Sequence, residues 1–302
     1  MGQLRFSGHD SFQCRNLWLK KGYDFVSSSS EKSSPFNEDL AVIDLGVGKN
    51  MVSSIRFWMK AFDMIDDEDE QPTSLATYLF ANGGKDPYIE DLGTLWLLHY
   101  KLISKSEASI YNLVFNKFRK QRIEFKKNHL INFLISECEK LGENHSPNSI
   151  ETDVGVFLKS YVAPDPKEGK KNIEDHYASL LIDLNLVKKI ENYIVDKFEK
   201  DKDWYKIESS ERESLPIEIF LYVILDNADV LGKSISFQKL LNADNSPGNV
   251  FVMTPDALVS KISELTRKYD GIVYKEDAGV RELQINGEFN KESILDQYYG
   301  RN

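Results

Sequence analysis

Apolar side chains recur at Met51, Ile55, Trp58, Phe62 and Ile65, in steps of four, three, four and three. That is the period of one buried helical face. The opposite side carries Lys49, Ser53, Arg56 and Lys60, also at helical spacing, with Asn50 beside Lys49. Gly46 and Gly48 stand just before this run and give the backbone a permissive turn. A glycine turn leading into a helix with one apolar and one basic stripe is the pattern of the second helix of a helix-turn-helix. An ordinary amphipathic surface helix has the same pattern.

Helical patterning continues on both sides. A helix runs through Cys14, Leu17, Trp18 and Tyr23, with Asp10 or Ser11 as its cap, and a short helix over 37–44 follows the Ser-rich loop 27–34. Thr73–Phe80 reads as a short strand or helix turn. The segment after Gly93-Thr94 is apolar nearly all round and so predicts a buried helix, with His99 as a core histidine. Helices are predicted over 106–118 and 130–141, and another begins at Ser146-Pro147, burying Ile150, Val154, Phe157 and Tyr161 while Glu151, Asp153 and Lys159 face outward. Residues 163–171 read as a linker, and 180–190 as the start of a strand or short helix.

In the last hundred residues a helix starts at Pro216, Ser234-Ile235-Ser236 caps a short one, and Thr254-Pro255-Asp256 opens a third. Residues 271–275 and 280–285 then alternate around an Asp/Gly turn as a hairpin. Three helices and a hairpin predict a winged helix, with Lys261, Arg267 and Lys268 as its basic groups. The fold expected is therefore mainly α, with an N-terminal helix-turn-helix unit, a helical middle and a C-terminal winged helix with a small β-hairpin. Its expected divisions are 1–70, 71–125, 126–200 and 201–302.

Charge qualifies this picture. The chain has 38 basic and 48 acidic residues among 302, a net charge of −10, which argues against wholesale coating of nucleic acid. The distribution is uneven, however. Residues 61–100 hold 9 acids and 1 base, with five acids in a row at 66–70, whereas 101–130 hold 8 bases and 2 acids. The latter include Lys117, Arg119, Lys120, Arg122, Lys126 and Lys127, interleaved with aromatic residues. This stretch suits either a phosphate-contacting edge or a basic linker folded onto the acidic segment.

Candidate chemistry is sparse. Gly48-Lys49 is no P-loop, because Ile43 fills the glycine position and Asn50 the hydroxyl position. His9, Asp10, Cys14 and Arg15 lack a nucleophile–base–orienter arrangement and read as caps and packing. Asp256 and Glu264 come nearest to a nuclease set, but Thr266 stands where a lysine is wanted. With only Cys14 and Cys138, no disulfide framework or cysteine zinc site is expected, and no cofactor, metal or catalytic residue is assigned. The expected location is the cytoplasm, with no membrane span, secretion core or myristoylation spacing.

Four segments carry a family resemblance: Phe6-Ser7-Gly8-His9-Asp10-Ser11-Phe12, Trp18-Leu19-Lys20-Lys21-Gly22-Tyr23-Asp24, Leu45-Gly46-Val47-Gly48-Lys49-Asn50-Met51-Val52, and the stretch 86–99. They resemble the bacterial domain-of-unknown-function family 4007, most densely before residue 100. The resemblance implies a setting beside sulfurtransferases in DNA sulfur-modification or phage-defence gene clusters, and it supplies no catalytic residues. The function expected is a DNA-binding accessory protein. Lys49, Asn50, Ser53, Arg56 and Lys60 would face the groove, and the 117–127 stretch would meet phosphates. The alternative is a non-enzymatic assembly subunit that docks a sulfurtransferase or another modification enzyme.

Overall fold

Gly46, at φ +60°, turns the chain between α2 (Ala41–Leu45) and α3 (Lys49–Ala61), as the glycine pair predicts. On α3 the expected face is buried at Ile55 and Trp58, continues through Phe62 and Ile65, and leaves Met51 half-buried. The computed structural model describes residues 3–28, 35–37, 41–163, 179–190, 203–228, 232–277 and 279–300. Residues 29–34 of the expected loop 27–34, residues 38–40 of the short helix and linker residues 164–171 lie outside these, while Ser27 and Ser28 are helical rather than loop.

The chain forms two units. Unit 1 comprises 1–114 and 118–207, and unit 2 comprises 115–117 and 208–302. The divisions expected at 70 and 125 fall inside unit 1, and the one at 200 lies outside the described residues.

Unit 1 opens with a loop, not a helix. Asp10 and Ser11 sit at φ +44° and +65°, a left-handed conformation no N-cap adopts, so α1 begins only at Trp18 and ends at Ser28. Residues 74–80 form helix α4, capped by the Thr73 hydroxyl accepting from the Ala76 amide. In α5 (Leu92–Lys105), capped by Asp91, every position from Gly93 to Ile103 is buried. His99 is satisfied there by the Tyr161 hydroxyl at 2.8 Å.

The helix expected over 106–118 starts later and runs further: α6 (Ser109–Leu113), a π-helical turn (Val114–Phe118) and α7 (Arg119–Gln121). The two helices expected in the middle follow, α8 (Lys127–Leu141) and α9 (Pro147–Tyr161), the latter with Ser146 as N-cap and Pro147 at its first turn. Sequence periodicity does not reveal a small antiparallel sheet. In it β3 (Trp204–Lys206) lies between β1 (Glu124–Phe125) and β2 (Lys188–Ile190), pairing Phe125 and Lys189 with Tyr205.

At the N-terminus, Leu4 N–H donates to both Glu143 carboxylate oxygens at 3.1 and 3.0 Å, and His145 Nε2 lies 2.9 Å from Oε2. The His145 and Leu4 contacts hold the Glu143 carboxyl below its usual range. A depressed folded pKa gives stability that is intact above the ordinary carboxylate value and lost as pH falls through Glu143's own. Acidification below about pH 4 is therefore expected to speed exchange of the Leu4 amide beyond its intrinsic rate. Protection unchanged down to pH 2 would refute this.

Unit 2 has the order helix, strand, two helices, helix, hairpin, helix. Its elements are α10 (Ile217–Asp226), β4 (Ser234–Ser236), α11 (Phe237–Asn242), α12 (Pro247–Val250), α13 (Pro255–Lys268), β5 (Ile272–Asp277), β6 (Val280–Ile285) and α14 (Lys291–Tyr299). The hairpin is extended by β4 to the order β4-β6-β5, with Ile235 opposite Leu283 and Leu283 opposite Tyr274. Ser236 caps α11 as expected, and Thr254 caps α13. The architecture is mainly α with two small antiparallel sheets. No helix among the described residues is long and apolar enough to cross a membrane.

Candidate nucleic-acid interface

The α3 stripe is only partly open. Lys49, Asn50 and Ser53 are exposed. Arg56 Nε donates to Glu70 Oε1 at 2.7 Å, its Nη2 lies 2.6 Å from the same oxygen, and Nη1 donates to Asn37. Lys60 Nζ is 2.8 Å from Glu70 Oε1 and donates to the Asp67 carbonyl. Glu70 is 1 % exposed, its Oε2 has no hydrogen-bond partner, and its backbone sits at φ +58°. Two of the five expected α3 contacts are therefore occupied by a carboxylate from the acidic run 66–70.

The network continues through Lys105, at 3.3 Å from Asp63 and 3.0 Å from Asp67, and Lys101, at 3.4 Å from Asp63. Burial alone would lower the Lys105 pKa, but Asp67 and Asp63 outweigh it and raise it. Asp66 is held low by the Glu68 and Asp69 amides.

The 117–127 stretch is not one surface. Lys117 belongs to unit 2, while Arg119 to Lys127 belong to unit 1. Lys126 is buried, its ammonium 5.0 Å from the Trp204 ring centre, so it packs where phosphate contact was expected. Lys120 and Arg122 are exposed, Lys117, Arg119 and Lys127 half-buried, and Arg122 Nη1 lies 3.4 Å from His129 Nδ1. In unit 2, Lys261 donates to the Leu215 carbonyl at 2.7 Å and pairs with Glu264, and Lys268 pairs with buried Glu218, which leaves Arg267 as the exposed member of that set.

A further cluster was not anticipated. Ser7, Gly8, Asp10 and Ser11 all have positive φ, at 71°, 103°, 44° and 65°. Outside glycine such conformations cost free energy and persist only where the surroundings enforce them. The enforcing contact is Asp153 of α9, expected on the outer face but 2 % exposed. Its Oδ1 accepts from the Ser7 amide at 2.9 Å and lies 3.1 Å from His9 Nε2. His9, also 2 % exposed, stacks on Trp58 with ring centres 5.9 Å apart, and its Nδ1 has no partner.

A Cβ on Gly8 would stand 2.7 Å from the Phe57 ring. Gly8→Ala is thus expected to cost about 1–2 kcal/mol from strained φ and contact together, read as a lowered urea midpoint; an unchanged midpoint would refute the fit. The loop, so pinned, lays Ser11 beside a groove of about 390 Å³ on the outer side of α9, where Lys127, Glu151, Thr152, Gly155 and Lys159 also stand.

Among the described residues no three His, Cys, Asp or Glu side chains are grouped to hold a metal ion. Asp256 and Glu264 share α13, and Glu264 is engaged by Lys261.

No curated protein matches the chain. Two solved structures do. One, described as "Magnesium ion-bound SspB crystal structure", has a TM-score of 0.85 and 28% identity, over 99% of this chain and 88% of that one. The other, "SspB crystal structure", has a TM-score of 0.79 and 27% identity with the same coverage. The family model for proteins of unknown function DUF4007 matches residues 6–299, and the chain belongs to that family.

Proposed function

We propose that this protein is a DNA-binding accessory subunit of a bacterial DNA-modification or phage-defence system. It works in the cytoplasm, without a catalytic step of its own. The observation that carries the reading is the open first turn of α3. Lys49, Asn50 and Ser53 are exposed directly after the α2–Gly46 turn, and the N-terminal residues of a recognition helix are those that meet base edges. Lys120, Arg122 and Lys127 supply phosphate contacts, while Arg56, Lys60 and Lys126 are withdrawn from the contact set by their partners. The order of unit 2, helix–strand–helices–hairpin with a third strand on the hairpin, supports a winged helix.

A second reading is favoured by a specific observation: Arg56, Lys60, Lys261 and Lys268 are all tied to carboxylates. In this reading the acidic chain is an assembly subunit that docks a basic partner such as a sulfurtransferase.

Anisotropy of a labelled duplex across a salt series distinguishes them. If Lys49, Lys120, Arg122 and Lys127 each meet a phosphate, the log–log salt slope is about −3 to −4. Lys49→Gln should reduce that slope by about one. Absence of binding at the lowest salt would leave the assembly reading.

A further inference from the structure

We infer that the groove between loop 7–11 and the outer side of α9 is a binding site for a phosphate ester. The inference rests on the nucleic-acid reading for the source of that phosphate, the DNA backbone.

Three observations meet there. Lys127 and Lys159 both line the groove, and neither ammonium is engaged by a carboxylate among the described residues. Beside them stands the Ser11 hydroxyl, while the Thr152 hydroxyl donates to the Asn148 carbonyl at 2.8 Å. Two cations with one hydroxyl donor form a set a phosphate takes.

Gly155 is the second observation. It lies in the interior of α9, where glycine is a poor helix former, and a Cβ added to it would meet nothing within 4 Å. Packing therefore does not require glycine. The space that its missing side chain leaves is the floor of the groove, where a ligand can approach the backbone.

The third is the cost of placing Ser11. Four left-handed residues and a buried His9–Asp153 contact hold the loop against the same helix. Three non-glycine residues of this kind within five positions mark a constrained stretch. No aromatic ring is among the groove's lining residues. The lining thus offers a nucleobase no stacking platform, and the lysines address the phosphate. Glu151 also lines the groove and opposes an anion, so it sets an upper limit on affinity.

The test uses the full chain, with a labelled duplex and, separately, inorganic triphosphate as probes at low salt. Gly155→Ala is expected to raise the melting temperature by about 2 °C through helix propensity, and Gly155→Leu to fold normally while filling the groove. For Gly155→Leu and for Lys127→Gln/Lys159→Gln, a loss of about tenfold or more in duplex affinity is expected, and for Glu151→Gln a gain of several-fold. Full duplex affinity in both Gly155→Leu and the double lysine variant overturns the groove and leaves the DNA reading standing. Triphosphate binding that Gly155→Leu abolishes, in a protein that ignores duplex, supports the groove and overturns DNA as the source. Binding of neither probe by the unaltered chain overturns both.

Discussion

Asp153→Ala is expected to lower the stability of unit 1 by about 2–4 kcal/mol, because it removes the buried carboxylate that accepts from two buried donors. The side chain accepts from a backbone amide and contacts His9, and all of this is shielded from water. Without the carboxylate, the Ser7 amide and His9 Nε2 become buried donors with no acceptor, and four left-handed residues lose the contact that holds them. All four tryptophans lie in unit 1, so their fluorescence follows this unit alone during urea unfolding. Asp153→Asn retains an acceptor oxygen and should recover part of the loss. The pair His9→Ala and Asp153→Ala should be markedly non-additive in a double-mutant cycle. Additive losses, or a loss under about 1 kcal/mol for Asp153→Ala, would show that the contact does not hold the loop.

Glu70→Gln is expected to act in two directions. Stability should fall by about 2 kcal/mol, since Arg56 and Lys60 lose a common buried counter-charge but remain partly solvated. Duplex affinity should rise, and the salt slope should steepen by up to about two, one for each cation released. The steepening is the decisive readout, because an indirect loss of folding would reduce binding and not add counterion release. An unchanged slope with Glu70→Gln would mean that Arg56 and Lys60 do not reach phosphate even when freed, and α3 would then contribute through its first turn only.

The α3 stripe was legible because helical periodicity needs only local sequence: Ile55, Trp58, Phe62 and Ile65 are buried as their spacing requires. What the charged side of that helix does was not legible. Five successive acids read alike, and only a backbone turn at Glu70 selects which one swings back to Arg56 and Lys60. Asp153 failed for a related reason. A polar residue on an amphipathic helix reads as exposed unless its partner is known, and Ser7 is 146 residues away.

The sheet joining Phe125, Lys189 and Tyr205 uses strands of two or three residues, too short to show alternation. The hairpin of unit 2, six residues in each strand with a turn signal between, was readable. Gly155 offered one usable signal, a glycine inside a strong helical pattern, whose meaning needed the empty space above it.

The π-helical turn has a consequence for heredity. Residues 115–117 are counted with unit 2 although unit 1 flanks them on both sides, and Asn116 accepts from the Asn245 amide at 2.9 Å while donating to the Asn245 side chain. A gene fragment ending at residue 207 would carry that asparagine away from its partners, and one beginning at 208 would lack it. A single crossover at that boundary therefore cannot carry unit 2 with this asparagine pair intact.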